Sequence, residues 1–187
     1  MEPTVAVATM FVDMVGSTSQ ASGLGPARAE SVRRRVFGAF RGAVAEAGGS
    51  EVKTTGDGVM VVFTSAGSAL DGAVLVQRHL QRSNQLVPED ERVLIRIGVA
   101  FGDVTIDRDD YFGEPVVEAA RLCDAAAAEE IWVSDIVAMM VRSGPHTIEP
   151  LGQVELKGLT GSRSVARVPW AETEATSLVP LPAAVTS

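Results

Sequence analysis

The chain has 187 residues, 46% of them apolar, and a formal charge of −8. That length suits one domain with a full core, and the acidic balance argues against a nucleic-acid partner, which would need a basic footprint. A lone Cys123 excludes an internal disulfide framework, and no apolar run approaches the roughly 20 residues that cross a bilayer. Met1-Glu-Pro-Thr lacks the basic and apolar regions of a signal peptide. The expectation is a soluble, cytoplasmic domain with no membrane segment, either free-standing or one module of a longer chain.

Residues 4–12 are apolar almost throughout and predict a buried strand ending on Asp13. Gly16-Ser17-Thr18 supplies a turn and a helix cap. Pro26 opens a helix with Val32, Val36, Phe40, Ala43 and Ala47 on one face, and Gly48-Gly49 ends it. Basic residues at Arg33-Arg34-Arg35 sit within this helical pattern beside Glu30, which favours a solvated face over a phosphate patch. Glu51-Val-Lys-Thr-Thr-Gly-Asp-Gly-Val-Met-Val-Val-Phe63 then reads as two short strands, 51–55 and 59–64, folded back through Gly56-Asp57-Gly58. An Asp-Gly pair between β-branched runs is a strong hairpin signal, because glycine accepts the positive φ of a tight turn.

A second long helix is expected over about 66–86, with Leu70, Ala73, Val74 and Leu80 inward, before a polar turn from Asn84 to Glu91. Arg92 to Ala100 alternates as a strand, and Gly102-Asp103 is expected to turn it into a short separate strand at 104–106. A charged loop, Asp107-Arg-Asp-Asp110, leads through Tyr111-Phe-Gly-Glu-Pro115 to an alanine-rich helix at about 116–127. A short strand at 131–133, a short helix capped by Ser134 and a closing hairpin at 147–157 and 163–168 complete the pattern. Residues 1–170 form the expected domain, and 171–187, rich in Ala, Thr, Ser and Pro, an expected disordered tail. This order does not alternate as a parallel doubly wound sheet would. It suits an α+β fold of ferredoxin-like type, a mostly antiparallel sheet with helices on one face.

On that layout Asp13 ends a central strand and Asp57 tips the neighbouring hairpin. Two carboxylates at one end of a sheet repel, and a divalent cation relieves the repulsion. Hard oxygen ligands favour Mg²⁺ or Mn²⁺, which recruit substrate phosphates. Gly16, Ser17 and Thr18, at a helix N-terminus, would offer backbone N–H groups to those phosphates. The plainer alternative makes Asp13 a helix cap and Asp57 a turn residue. Neither His79 nor His146 has metal-ligand spacing.

Five segments together give a more specific signal. Phe11-Val-Asp-Met-Val-Gly-Ser-Thr18, Val52-Lys-Thr-Thr-Gly-Asp-Gly58, Asp110-Tyr-Phe-Gly113, Ala119-Ala-Arg-Leu122 and Leu156-Lys-Gly158 resemble the catalytic domain of class III nucleotidyl cyclases, of the bacterial adenylyl cyclase kind. Each is weak alone; in this order and spacing, over about 5–168, they are distinctive.

The resemblance implies conversion of ATP to cyclic AMP and pyrophosphate by a head-to-tail homodimer with active sites at the subunit interface. Asp13 and Asp57 match its metal-binding carboxylates, with the Met14 backbone carbonyl as a further ligand for two Mg²⁺ or Mn²⁺ ions per site. Lys53 matches the adenine-selecting lysine: an ammonium is donor-only and serves the adenine N1 acceptor. Asp110 matches the acceptor of the 6-amino group. Guanine reverses both needs, so the pair reads adenine. Arg121 matches the transition-state arginine and Lys157 a lysine on the terminal phosphates.

Plainer roles exist for each of these residues. Lys53 could be an exposed strand lysine, Asp110 part of an acidic loop, Arg121 a helix-surface partner of Glu118 or Asp124, and Lys157 a strand-end residue. One position departs from the family pattern. Val117 stands where an asparagine usually orients the ribose, unless water or Glu118 substitutes. A second reading follows, a weak or inactive cyclase-homology module that binds ATP or dimerises for regulation. A cyclic-dinucleotide synthase would carry a Gly-Gly-(Asp/Glu)-Glu-Phe turn, which Thr-Gly-Asp-Gly does not match.

Overall fold

A computed structural model gives the fold and describes residues 3–17 and 23–171. All of the expected tail but Ala171 therefore lies outside the described residues, as does Thr18. The strands are β1 (Thr4–Val15), β2 (Ser50–Thr55), β3 (Gly58–Phe63), β4 (Leu94–Asp107), β5 (Asp110–Phe112), β6 (Ile131–Ser134), β7 (Glu149–Glu155) and β8 (Ser162–Arg167). The helices described in full are α1 (Pro26–Glu46), α2 (Ala66–Gln85), α3 (Glu114–Ala125) and α4 (Asp135–Met140), with a 3₁₀ turn at Glu89–Glu91.

One sheet holds all eight strands in the order β2-β3-β1-β4-β6-β8-β7, with β5 folded back on β4. Every pairing is antiparallel except β4 with β6. The architecture is the mixed α+β, mostly antiparallel sheet expected. No described helix is long and apolar enough to cross a membrane.

Alternation along the strands sorts the side chains to two faces. Met10, Val12 and Met14 of β1 join Val59, Val61, Ile95 and Ile97 under α1, α2 and α4. Val32, Val36, Phe40 and Ala43 of α1, and Leu70, Ala73, Val74 and Leu80 of α2, are buried there, as their spacing predicts. Helix α1 ends in a Schellman motif: Gly48 sits at φ 75°, Gly48 N–H donates to the Ala45 carbonyl at 3.1 Å and Gly49 N–H to that of Val44 at 2.9 Å. Of the arginine run, Arg34 lies 3.8 Å from Glu30, while Arg35 donates to the Glu91 carbonyl at 2.6 Å and to Ser83.

Two expectations need correction. The helices do not share one face: α3 lies on the opposite side, where Ala119 and Leu122 pack with Ala100, Val165 and Phe11. Nor does Gly102-Asp103 break the strand. β4 runs unbroken beside β1, from Leu94 opposite Val15 to Thr105 opposite Thr4. Its glycines make room for α3 rather than turning the chain. A Cβ on Gly98 would lie 2.2 Å from the Ala119 carbonyl oxygen and 2.3 Å from Cys123 N, and one on Gly102 would meet Pro115 at 2.8 Å. The real turn comes at Arg108 and Asp109, with φ values of 47° and 66°, the signature of a two-residue hairpin. It shortens the expected charged loop to a two-residue turn between Asp107, the end of β4, and Asp110, the start of β5.

Candidate functional site

Strand register builds the site around the end of β1. Asp13 stands opposite Gly58 of β3 on one side and Arg96 of β4 on the other. The hairpin turn brings Asp57 alongside, its carbonyl accepting from Met14 N–H at 3.4 Å. Gly58 matters here for space: a Cβ would sit 3.1 Å from the Val12 carbonyl oxygen and 3.5 Å from Asp13 Oδ1. The bare backbone leaves a cradle beside Asp13 Oδ1 that a side chain would fill. Gly56 takes the positive φ of the turn, 62°, and its carbonyl is held at 3.1 Å by Arg33, whose guanidinium stacks 4.7 Å over the Phe37 ring. Ser17 Oγ donates to Asp57 Oδ2 at 2.6 Å. A cavity of about 200 Å³ opens at this point, lined by Met14, Ser17, Arg33 and Asp57 among others. Gly16, at φ 71°, precedes it.

Sequence reading missed Arg96. It donates Nε and Nη2 to Asp13 Oδ2 at 3.1 and 2.8 Å and Nη1 to the Asp124 carbonyl at 2.6 Å. Burial works against its charge, but the Asp13 hydrogen bonds and the neighbouring acids outweigh burial and hold its pKa above the usual arginine range. The same alternation that buries Ile95 and Ile97 puts Arg96 on the α3 face. Its meeting with Asp13 depends on a strand pairing 83 residues apart in sequence. Beside it, burial and the Asp13 charge push the Cys123 thiol up to about 12.

The arrangement suits a hard cation. Asp13 Oδ2 already attracts the nearest positive group, and the Gly58 cradle leaves room. Among the described residues no three His, Cys, Asp or Glu side chains converge as a cage. An ion here would therefore complete its shell with backbone, water and ligand oxygens, as Mg²⁺ does.

The second pair of candidates meets across the sheet. Lys53 Nζ lies 2.8 and 2.5 Å from the two carboxylate oxygens of Asp110, which is 57 residues away. The register of β2 on β3 slips between Glu51 and Lys53, a bulge of the kind that re-aims side chains at sheet edges. The Lys53 hydrogen bond holds the Asp110 carboxyl below its ordinary range despite some burial, and the Tyr111 N–H adds to it. Lys53 is thus neither unpartnered nor Asp110 a free loop acid. Phe112, 51% exposed, presents its ring 5.8 Å from the Lys53 ammonium.

Arg121 projects from α3 and donates Nη1 to Asp124 Oδ2 at 3.1 Å. A Cβ on Gly158 would lie 3.9 Å from its guanidinium, so the loop carrying exposed Lys157 passes close by. Val117, one turn earlier, is 42% exposed. Glu118 lines a cavity with Phe101, Asp103 and Arg163, where burial pushes its carboxyl up. His146 pairs with Asp71 at 2.7 Å and His79 lies 3.7 Å from Glu46, both apart from these groups.

The profile of the family described as the adenylate and guanylate cyclase catalytic domain matches residues 1–168. An adenylate cyclase of Streptomyces coelicolor is 36% identical over 95 residues, 51% of this chain and 23% of that protein. The crystal structure of an adenylate/guanylate cyclase/hydrolase from Silicibacter pomeroyi superposes with a TM-score of 0.76 at 32% identity, over 90% of this chain and 99% of that one. The adenylyl cyclase CyaB of P. aeruginosa shares the fold, with a TM-score of 0.80 at 22% identity over 90% and 96% of the two chains. The chain spans only 14–37% of the length of the first curated relatives it matches.

Proposed function

The chain belongs to the adenylate and guanylate cyclase catalytic domain family, and from that premise we propose that it converts ATP to 3′,5′-cyclic AMP and pyrophosphate. The observation that carries the choice of base is the Lys53–Asp110 pair, 2.8 Å apart. Each group fixes the other, so a purine arriving at the pair meets an ammonium donor for N1 beside a carboxylate acceptor for the 6-amino group. Guanine would present an N1–H to the ammonium and O6 to the carboxylate, two repulsive contacts.

Asp13 and Asp57, with the Met14 carbonyl, would hold two Mg²⁺ or Mn²⁺ ions, which supply activation of the ribose 3′-hydroxyl and charge neutralisation on the triphosphate. Ser17 orients the Asp57 carboxylate through its 2.6 Å bond, and the backbone at Gly16, Ser17 and Thr18 would cradle phosphate. Arg121 would neutralise charge that grows on the α-phosphate as pyrophosphate leaves. Lys157 would bind the terminal phosphates. Within one chain Lys53 and Asp110 pair with each other, and Arg121 is joined to Asp13 through Asp124 and Arg96 rather than directly. That separation supports a head-to-tail homodimer in which each site draws its acids from one copy and its cations from the other. Exposed Phe112 and Val117 would lie in or near that contact.

Cyclic AMP formation from ATP and Mn²⁺ tests the proposal. The wild-type chain should make product, and Asp57→Ala should lower the rate by about 10³-fold. Equal rates with the two proteins would favour the second reading, a cyclase-homology module that binds ATP or dimerises for regulation, for which Val117 is the motivating residue. The base-reading pair has its own test. Lys53→Glu combined with Asp110→Ser should move the ATP-to-GTP preference toward GTP by about 10²-fold, the range of a reversed hydrogen-bond set. A preference left unchanged would remove these residues from base selection.

A further inference from the structure

Asp124 touches both arginines that border the candidate site. Its backbone carbonyl, in the last turn of α3 and so without a helical partner, accepts Arg96 Nη1 at 2.6 Å. Its Oδ2 accepts Arg121 Nη1 at 3.1 Å, and its Oδ1 lies 3.9 Å from Arg96 Nη2. Arg96 in turn holds Asp13. Acid and base thus alternate along a four-membered chain, Asp13–Arg96–Asp124–Arg121, from the β1 acid to the arginine on α3.

Such a chain has two arrangements. The observed one gives Arg96 to Asp13 and the Asp124 carboxylate to Arg121. In the other, Arg96 takes the Asp124 carboxylate. Arg96 Nη2 needs to move only about 1 Å to reach the 2.7–2.9 Å of a charge-assisted bond, and the Nη1 bond to the Asp124 carbonyl already anchors it. A fork-on-fork pairing would turn the Asp124 carboxylate toward Arg96 and away from Arg121. A divalent cation approaching Asp13 Oδ1 from the Gly58 side repels the guanidinium held on Oδ2 and weakens that bond.

We propose that Asp124 is a positioning residue that exchanges one guanidinium for the other: when Asp13 takes up a divalent cation, Arg96 turns to Asp124, and Arg121 is released toward substrate phosphate. This rests on the reading of Asp13 as a cation ligand. In the proposed head-to-tail homodimer, Asp13 and Arg121 of one chain serve different sites. The exchange then links cation loading at one site to arginine release at the other.

The test is a Mg²⁺ titration of the whole chain without nucleotide, followed by the arginine Nε–H resonances in NMR, with Arg96 and Arg121 assigned through Arg96→Lys and Arg121→Lys. In the wild type both resonances should shift with one common midpoint. In Asp124→Asn the Arg121 resonance should be displaced before Mg²⁺ is added and should then stay still. The Arg96 response should persist with its midpoint raised about 3–10-fold, since the released guanidinium meets a neutral amide. An Arg96 shift with Arg121 unmoved in the wild type overturns the exchange while leaving the cation reading standing. An Arg121 response unchanged by Asp124→Asn overturns it too. If neither resonance moves and calorimetry detects no Mg²⁺ binding, the cation reading fails and the exchange with it. The wild-type titration decides the linkage even if the variant does not fold.

Discussion

Asp57→Ala protein mixed with an equal amount of Arg121→Ala protein should regain about a quarter of wild-type activity, although each variant alone has lost about 10²–10³-fold. The figure follows from the shared-site arrangement. Random exchange makes about half the dimers mixed, and each mixed dimer has one site with both defects and one with neither. Asp57 and Arg121 belong to different contact groups of one chain, the first held by Ser17 and the β1 end, the second by Asp124 on α3. Neither substitution opens the core, since one sits at a turn and the other on a part-exposed helix face. The check is cyclic AMP formation by mixtures in which differently tagged chains are shown to co-purify. Mixed dimers that stay as inactive as the parents would assign both residues to one chain's own site.

The second large effect is a gain. Val117→Asn should raise kcat about 10–100-fold with little change in stability. Val117 lies four residues before Arg121, so the two share a face of α3 one turn apart, and 42% of it is exposed. An amide there would add a donor and an acceptor beside the arginine, and one hydrogen bond made in the transition state accounts for a factor of about 10²–10³. Asparagine and valine differ little in helix propensity, so the melting temperature should move by only a degree or two. Steady-state kinetics of the two proteins at saturating Mn²⁺ separate kcat from KM. An unchanged kcat would mean that position 117 takes no part in the reaction of this chain.

Periodicity made much of the fold legible before any coordinates. The apolar run ending on Asp13, the hairpin at Gly56-Asp57-Gly58 and the inward faces of α1 and α2 all carry local signals that tertiary packing reinforced. What escaped was non-local. Gly98 and Gly102 read locally as interruptions of a strand; only the helix laid across them shows that they are contact points. The side of the sheet chosen by α3 could not be read from its own segment, because the stripe of Pro115, Ala119, Leu122 and Cys123 says that the helix packs and not on which face. The site divides in the same way. Lys53 and Asp110 were singled out by motif, and the coordinates put them in contact. Arg96 carried no signal, because its relation to Asp13 exists only once β1 and β4 are aligned.

The close approach at Gly98 has a mechanical side. Side chains between a helix and a sheet normally act as a compliant layer that permits slippage. Here main chain rests on main chain, with no room for a single methyl group between α3 and the middle of β4. Helix and strand must travel as one stiff body. A signal that brings the guanidinium corner and the acidic end of β1 into new alignment therefore has two mechanical routes, rotation of long side chains about their own bonds or displacement of one whole subunit against another.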